Sequence, residues 1–463
     1  MCIHTFKREG QAVSGLKKWA ALLLTLGMAL SLTGCALPKL TLDPEELYTL
    51  PELPARYTAL NQQLNAIQEG GAEYAAPAAG SNIQPVQMVD LDGDGREEAL
   101  AFFRRSDGEK PLKIYVFTGD GDSYAQTAVI EGSGLAIYSV AYSDMNGDGR
   151  MEIIVGWRVN MELQALAVYA LEPGGARELV RTNYVKYAVT DLNGDGMQEL
   201  AVFRADQEGV GAADCYLWKN GALSLGSSIR VSMTMAELSQ QGRVTVGTLR
   251  SGEPALFVTG VADSLRAITD VLILRDGELS NSVLSATTGV SGESSRYRAL
   301  YPSDVNGDGI TEVPRTVPLY GEEADPENSL RMDWMSFDAG GIAVRALSTY
   351  HAMEDGWYLQ LPEGWPESIW VSRASSTDES AITFYRGGTG QEEEPVLRIT
   401  ALSGANRERL AVRTGRFILG RNDGVIYAGE LLKGNEDWEH GVAEDDVRNA
   451  FSLIAKEWSA GDN

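Results

Sequence analysis

Four stretches of this chain gather oxygen-bearing side chains at one spacing: "DLDGDGREE" from Asp90, "DMNGDGRME" from Asp144, "DLNGDGMQE" from Asp191 and "DVNGDGITE" from Asp304. Each reads D-x-[DN]-G-D-G-x-x-E. Oxygens at positions 1, 3 and 5 converge on one point when the backbone curls tightly. Glycine at position 6 permits the left-handed conformation that closes the curl. Position 7 then offers its carbonyl and the Glu at position 9 the last carboxylate. An all-oxygen cage of high negative charge suits calcium. Without a cation, carboxylates this close repel one another. The same residues also make good Asx and glycine turns, so a single copy would fit either reading. Repetition in one register favours the metal.

The loops are not EF-hands. An EF-hand places a bidentate Glu at position 12 and flanks its loop with helices. Here position 12 is Ala101, Val155, Val202 and Arg315, and the residues after position 9 are apolar and extended ("ALAFF", "IIVGW", "LAVF"). The gap between the third and fourth loops is about twice the others, and a degraded copy sits inside it. "VTVGTLRSGEPALFVTG" keeps the flanking strands but shortens the loop to Thr248–Glu253. With no acidic cluster it is expected to bind no metal, Arg250 standing where the cation would.

Stepping outward, each repeat has room for four short strands. In the second these are "IYSVAY", "IIVGW", "ALAVYA" and "RELVRT". Units of about 50 residues with four strands and recurring turns predict β-propeller blades, packed face to face.

Taken together, loops and repeats resemble the FG-GAP or VCBS family, the calcium-loop propeller blades also found in integrin α heads. The likeness spans residues 84–350. Glycine at position 4 and Glu at position 9 are local variations. The resemblance implies a mainly β fold, a calcium-loop propeller of about five blades. It also implies up to four Ca2+ ions. The ligands carried over are Asp90, Asp92, Asp94 and Glu98; Asp144, Asn146, Asp148 and Glu152; Asp191, Asn193, Asp195 and Glu199; and Asp304, Asn306, Asp308 and Glu312. The carbonyls of Arg96, Arg150, Met197 and Ile310 complete the four sets. Five repeats can be counted. A five-bladed ring, a sixth unit, or closure by the first strands after residue 350 all remain open.

The 463 residues suggest two or three domains. Residues 1–34 read as a secretory signal: Lys17 and Lys18, then "WAALLLTLGMALSL", ending in "LTGC". That ending is similar to a bacterial lipobox, with Cys35 as the lipidated residue. Residues 35–83 then form a Pro-rich tether and a short helix with Tyr57, Leu60, Leu64 and Ile67 on one stripe. Anchor, tether, helix and acidic loop together resemble VCBS-repeat lipoproteins of clostridia and related Gram-positive bacteria. The expected location is extracytoplasmic, on the outer face of the cytoplasmic membrane, which is the cell surface in a Gram-positive. The membrane partner is reached through the lipid alone. With Cys2 in the signal and Cys35 lipidated, Cys215 has no disulfide partner and reads as a small buried residue.

Residues 351–463 read as a small α+β domain with a tight turn at Asn422–Gly424. A closing amphipathic helix is expected to carry Val447, Phe451, Ile454 and Trp458. Trp357, Trp365, Trp370, Trp438 and Trp458 lie in this region; core packing is their expected role, a glycan platform the alternative.

A net charge of −26 disfavours nucleic acid as a partner. Outside the N-terminal segment the only histidines are His351 and His440, neither in a motif with a nucleophile, and no zinc, P-loop or dinucleotide pattern occurs. The expected function is therefore a non-enzymatic surface module binding an unidentified protein or glycan. The alternatives are a structural subunit of an envelope complex and, less favoured, a calcium-dependent hydrolase or lyase.

Overall fold

The computed structural model describes residues 58–106, 108–120, 123–262, 266–297, 300–318, 330–387 and 394–454. The expected signal, Cys35, most of the tether, Tyr57 and Trp458 lie outside these described residues. Within them the chain is mainly β, in antiparallel sheets, and no helix is long and apolar enough to cross a membrane. Helix α1, Thr58–Glu69, buries Leu60 and Leu64 of the expected stripe and half-buries Ile67.

Four sheets follow the repeat, each with four strands laid side by side in chain order. Sheet 1 comprises Val86–Val89, Glu98–Arg104, Leu112–Asp120 and Ser123–Gly132. Sheet 2 comprises Ala136–Ser143, Glu152–Arg158, Gln164–Glu172 and Gly175–Tyr184. Sheet 3 comprises Lys186–Thr190, Glu199–Ala205, Gly211–Lys219 and Ala222–Arg230. A short helix, α2 (Met235–Gln240), leads into sheet 4: Arg243–Thr248, Pro254–Val261, Arg266–Arg275 and Glu278–Asn281. Two-residue strands at Glu73–Tyr74 and Arg296–Tyr297 add to sheets 1 and 4.

The second strand of each sheet is apolar without alternation because both of its faces are covered. Leu100 and Phe102 share a core with Ile153, Val155 and Trp157 of sheet 2. Ile154, facing the other way, joins Leu200 and Val202 of sheet 3. Ala201 and Phe203 then meet Leu256 and Val258 of sheet 4, and Ala255 and Phe257 meet Val313 and Met335 of the next sheet. The sheets thus stack in sequence order, each lying between its neighbours.

Sheet 5 departs from the pattern. The strand before its loop shrinks to a single bridge, Ser303 to Glu312. Glu312–Pro318, Leu330–Phe337 and Ala343–Ala352 follow, and Trp357–Gln360 and then Phe451–Leu453 extend the sheet. The division expected at residue 350 falls inside a strand. Sheet 6 holds Ile369–Ser375, Glu379–Arg386, Glu394–Leu402, Val425–Leu431 and Arg416–Asn422 in that spatial order, with helix α3 (Arg407–Ala411) between its third strand and the hairpin. Asp423 (φ +42°) and Gly424 (φ +83°) make that hairpin's turn. A single core joins Tyr350, Trp357 and Leu359 of sheet 5 to Phe384, Leu397 and Ile399 of sheet 6.

The closing helix is shorter than its sequence stripe. Helix α4 spans Glu444–Ala450, and Phe451 is already extended (φ −86°, ψ 135°). Phe451 packs on Trp357 and Tyr427 while its backbone pairs with Leu359. The sheet edge and an aromatic pocket together outweigh one further helical turn. Trp357 and Trp365 are fully buried in this core, the packing role expected for them.

Candidate metal centre

Each acidic loop joins the first strand of its sheet, or in sheet 5 the Ser303 bridge, to the strand that begins at its position-9 Glu. The loops close by local hydrogen bonds of one pattern. The position-1 carboxylate accepts from the amides of positions 4 and 6, as in Asp90 with Gly93 (2.8 Å) and Gly95 (2.9 Å). The same pair recurs at Asp144, Asp191 and Asp304. Asp92, Asn146, Asn193 and Asn306 accept from the position-5 amide. Asp94, Asp148, Asp195 and Asp308 accept from the amides of Arg96, Arg150, Met197 and Ile310.

The position-9 glutamates are set differently. Glu98, Glu152, Glu199 and Glu312 are buried at the mouth of the following strand. Each accepts the position-2 amide: Leu91 (2.9 Å), Met145 (2.9 Å), Leu192 (2.7 Å) and Val305 (3.1 Å). Burial raises all four carboxyls above the ordinary range, with the loop aspartates adding to it, and Glu199 and Glu312 reach about 7. In the first loop Asp90, Asp92 and Glu98 bring one carboxylate oxygen each within 4.8 Å of one another. Arg96 turns back onto Asp94 there, its Nε 2.9 Å from Oδ2, and holds that carboxyl below its usual value.

Neighbouring loops also touch. The Met151 amide donates to the Leu91 carbonyl (2.8 Å) and the Gln198 amide to the Met145 carbonyl (3.2 Å), so position 8 of one loop grips position 2 of the loop before it. The chain of contacts passes from loop one to loop three. The fourth acidic loop instead meets the degraded one, through Thr311 to Thr248 (2.9 Å). In the degraded loop a backbone bond from Leu249 to the Glu253 carbonyl (2.8 Å) replaces the carboxylate bond made elsewhere by position 9. Arg250 does not point into its own loop. It pairs with Asp338 of sheet 5 at 3.1 Å.

In the first loop the glycine at position 4 has a reason that is not local. Gly93 has φ +75°, and a Cβ built there would lie 2.4 Å from the Gly149 carbonyl oxygen; Gly194 has φ +77° but open space. Gly194→Ala should therefore cost only the left-handed strain, about 1–2 kcal/mol. Gly93→Ala should cost about 1–3 kcal/mol more, from overpacking. Urea denaturation midpoints of the two variants check this; equal losses would show that Gly93 of the first loop does not press on Gly149 of the second.

Two side chains capable of acid–base or nucleophilic chemistry are interior. Cys215 is fully buried and its thiol is pushed up to about 12. His351 is 2 % exposed, its Nε2 lies 2.8 Å from Thr349 Oγ1, and burial pushes it down to about 3. The folded chain thus refuses a proton that the unfolded chain takes below about pH 6.5, so His351 contributes stability that is lost as pH falls from there toward 3. An NMR titration should find its imidazole neutral at pH 5; a midpoint above 5 would contradict its burial.

Residues 90–155, from the first acidic loop into the strand after the second, match the family described as FG-GAP-like repeat. No curated protein matches the chain. The described residues are mainly β, in antiparallel sheets, and the stretch 90–155 is similar to FG-GAP-like repeats.

Proposed function

We propose that the chain is a calcium-stabilised propeller module that binds a protein or glycan at the bacterial surface, tethered by lipid at Cys35, without catalysing a reaction. The observation that carries it is the same closure in four loops, each ending on a buried glutamate. In the fourth, Glu312 Oε1 is buried with no hydrogen-bond partner. Every side-chain donor is an oxygen, which suits calcium and not zinc. The side chains at positions 1, 3, 5 and 9 of each loop would hold the ion, aided by the position-7 carbonyls of Arg96, Arg150, Met197 and Ile310. Bound calcium offsets the clustered carboxylates and stiffens the loops between the first two strands of each sheet. Stiff sheet ends can present the connecting loops as one binding surface. The interior setting of His351 and Cys215 supports a module over an enzyme.

The test is a screen of the purified chain against glycan and peptide libraries, with calcium and with chelator. A ligand retained only with calcium, and lost on Asp191→Ala, is expected. Retention indifferent to calcium and to Asp191→Ala would remove the calcium part. Turnover abolished by one carboxylate substitution outside the loops would make the protein an enzyme instead.

A further inference from the structure

A second site lies away from the acidic loops. A cavity of about 430 Å³ opens between the first strands of sheets 2, 3 and 4 and the segment 79–81. Its volume falls within the roughly 300–1,000 Å³ of small-ligand sites. In a chain of net charge −26, the described residues lining it include no Asp or Glu. They do include two cations, Lys186 and Arg243, from the first strands of adjacent sheets. Burial, and then the neighbouring Arg243, hold the Lys186 ammonium below its usual value. Two like charges share a partly desolvated space, a setting that favours an anion.

The rest of the wall is aromatic and hydroxylated. Tyr138, Tyr142, Tyr184 and Tyr187 line it, Tyr184 and Tyr187 meeting edge to face with centroids 5.7 Å apart. Tyrosine walls give an apolar surface with a polar rim. Gln164 Oε1 is buried there without a hydrogen-bond partner, an acceptor that needs a donor such as a hydroxyl. Ser139 and Ser143 add further hydroxyls.

We propose that this cavity binds an acidic sugar: its carboxylate or phosphate at Lys186 and Arg243, its ring on the tyrosines, and a hydroxyl donating to Gln164. The proposal rests on the ligand-binding reading above and specifies its ligand class. The source is either a free acid monosaccharide or the end of an anionic polysaccharide.

Calorimetric titration of the full chain, in calcium, tests it with glucuronate, glucose 6-phosphate, a short oligouronate, neutral glucose and inorganic phosphate. Saturable binding of an acid sugar is expected, at least about tenfold tighter than glucose or phosphate alone. Tighter binding of the oligouronate would assign the polymer end, and equal binding the monosaccharide. Lys186→Gln should weaken binding at least about tenfold with the melting temperature unchanged, while Lys186→Arg should retain it. Arg243→Gln gives the same readout should Lys186→Gln not fold. Equal affinity for glucose and glucuronate, no saturation by any acid sugar at about 10 mM, or indifference to both substitutions would overturn the proposal. A library ligand that binds Lys186→Gln and Arg243→Gln normally would leave the module reading intact and remove this cavity from it.

Discussion

Calcium added to the chelated chain should raise its melting temperature by about 7 °C. Extracellular calcium loops bind at about 10⁻⁴ to 10⁻³ M, so at ten times the dissociation constant each site contributes about 1.4 kcal/mol. Four sites give about 5.6 kcal/mol. The compact unit Ala59–Asn463 has about 400 residues. At an unfolding entropy of about 2.1 cal/mol/K per residue, each degree corresponds to about 0.85 kcal/mol. Magnesium should do much less, because it gives up its waters reluctantly. The inter-loop bonds add a finer expectation. Loops one to three are joined through Leu91 to Met151 and Met145 to Gln198, while among the described residues the loop at Asp304 meets the degraded copy. Calorimetry should therefore resolve three coupled sites and one independent site. No calcium-specific shift, with no calcium retained on purification, would reduce all four loops to turns.

Trp357→Ala should cost about 3–5 kcal/mol, the range for deleting a large buried aromatic. Trp357 is 0 % exposed and packs between Tyr350 and Phe451, with centroids 5.9 and 5.7 Å away. It stands where sheets 5 and 6 share one core. Trp370 is a matched control: half-buried and stacked on Tyr385 at 4.3 Å, it should cost far less, about 0.5–1.5 kcal/mol, the worth of an aromatic pair. Guanidinium midpoints of the two variants measure the difference. A loss below about 1 kcal/mol for Trp357→Ala would show that the two sheets do not depend on a common core.

The acidic loops were the most legible part of the chain. Their closure uses bonds between residues two to seven positions apart, such as Asp191 to Gly196 and Leu192 to Glu199, so a nine-residue window contains nearly all the physics. The strands after them were legible too, because a strand covered on both faces needs an unbroken apolar run. Less visible was the cavity. Its tyrosines and two cations lie on the first strands of three sheets and, for Tyr184, on the last strand of sheet 2, and mean little one strand at a time; the half-buried, Tyr-rich "AIYSVAYS" was the one local sign.

By itself the sequence determined which short segments curl and which extend, since those choices depend on side chains bonding or packing near their own backbone. Tertiary structure alone decided the rest. It placed the Gly149 carbonyl against Gly93, turned Arg250 toward Asp338, and drew Phe451 out of a helix into the edge of sheet 5. It also brought Lys186 beside Arg243, 57 residues along the chain. These partners are distant in sequence, and their energies exist only once the sheets have stacked. Local propensity cannot encode a contact whose other half has yet to arrive.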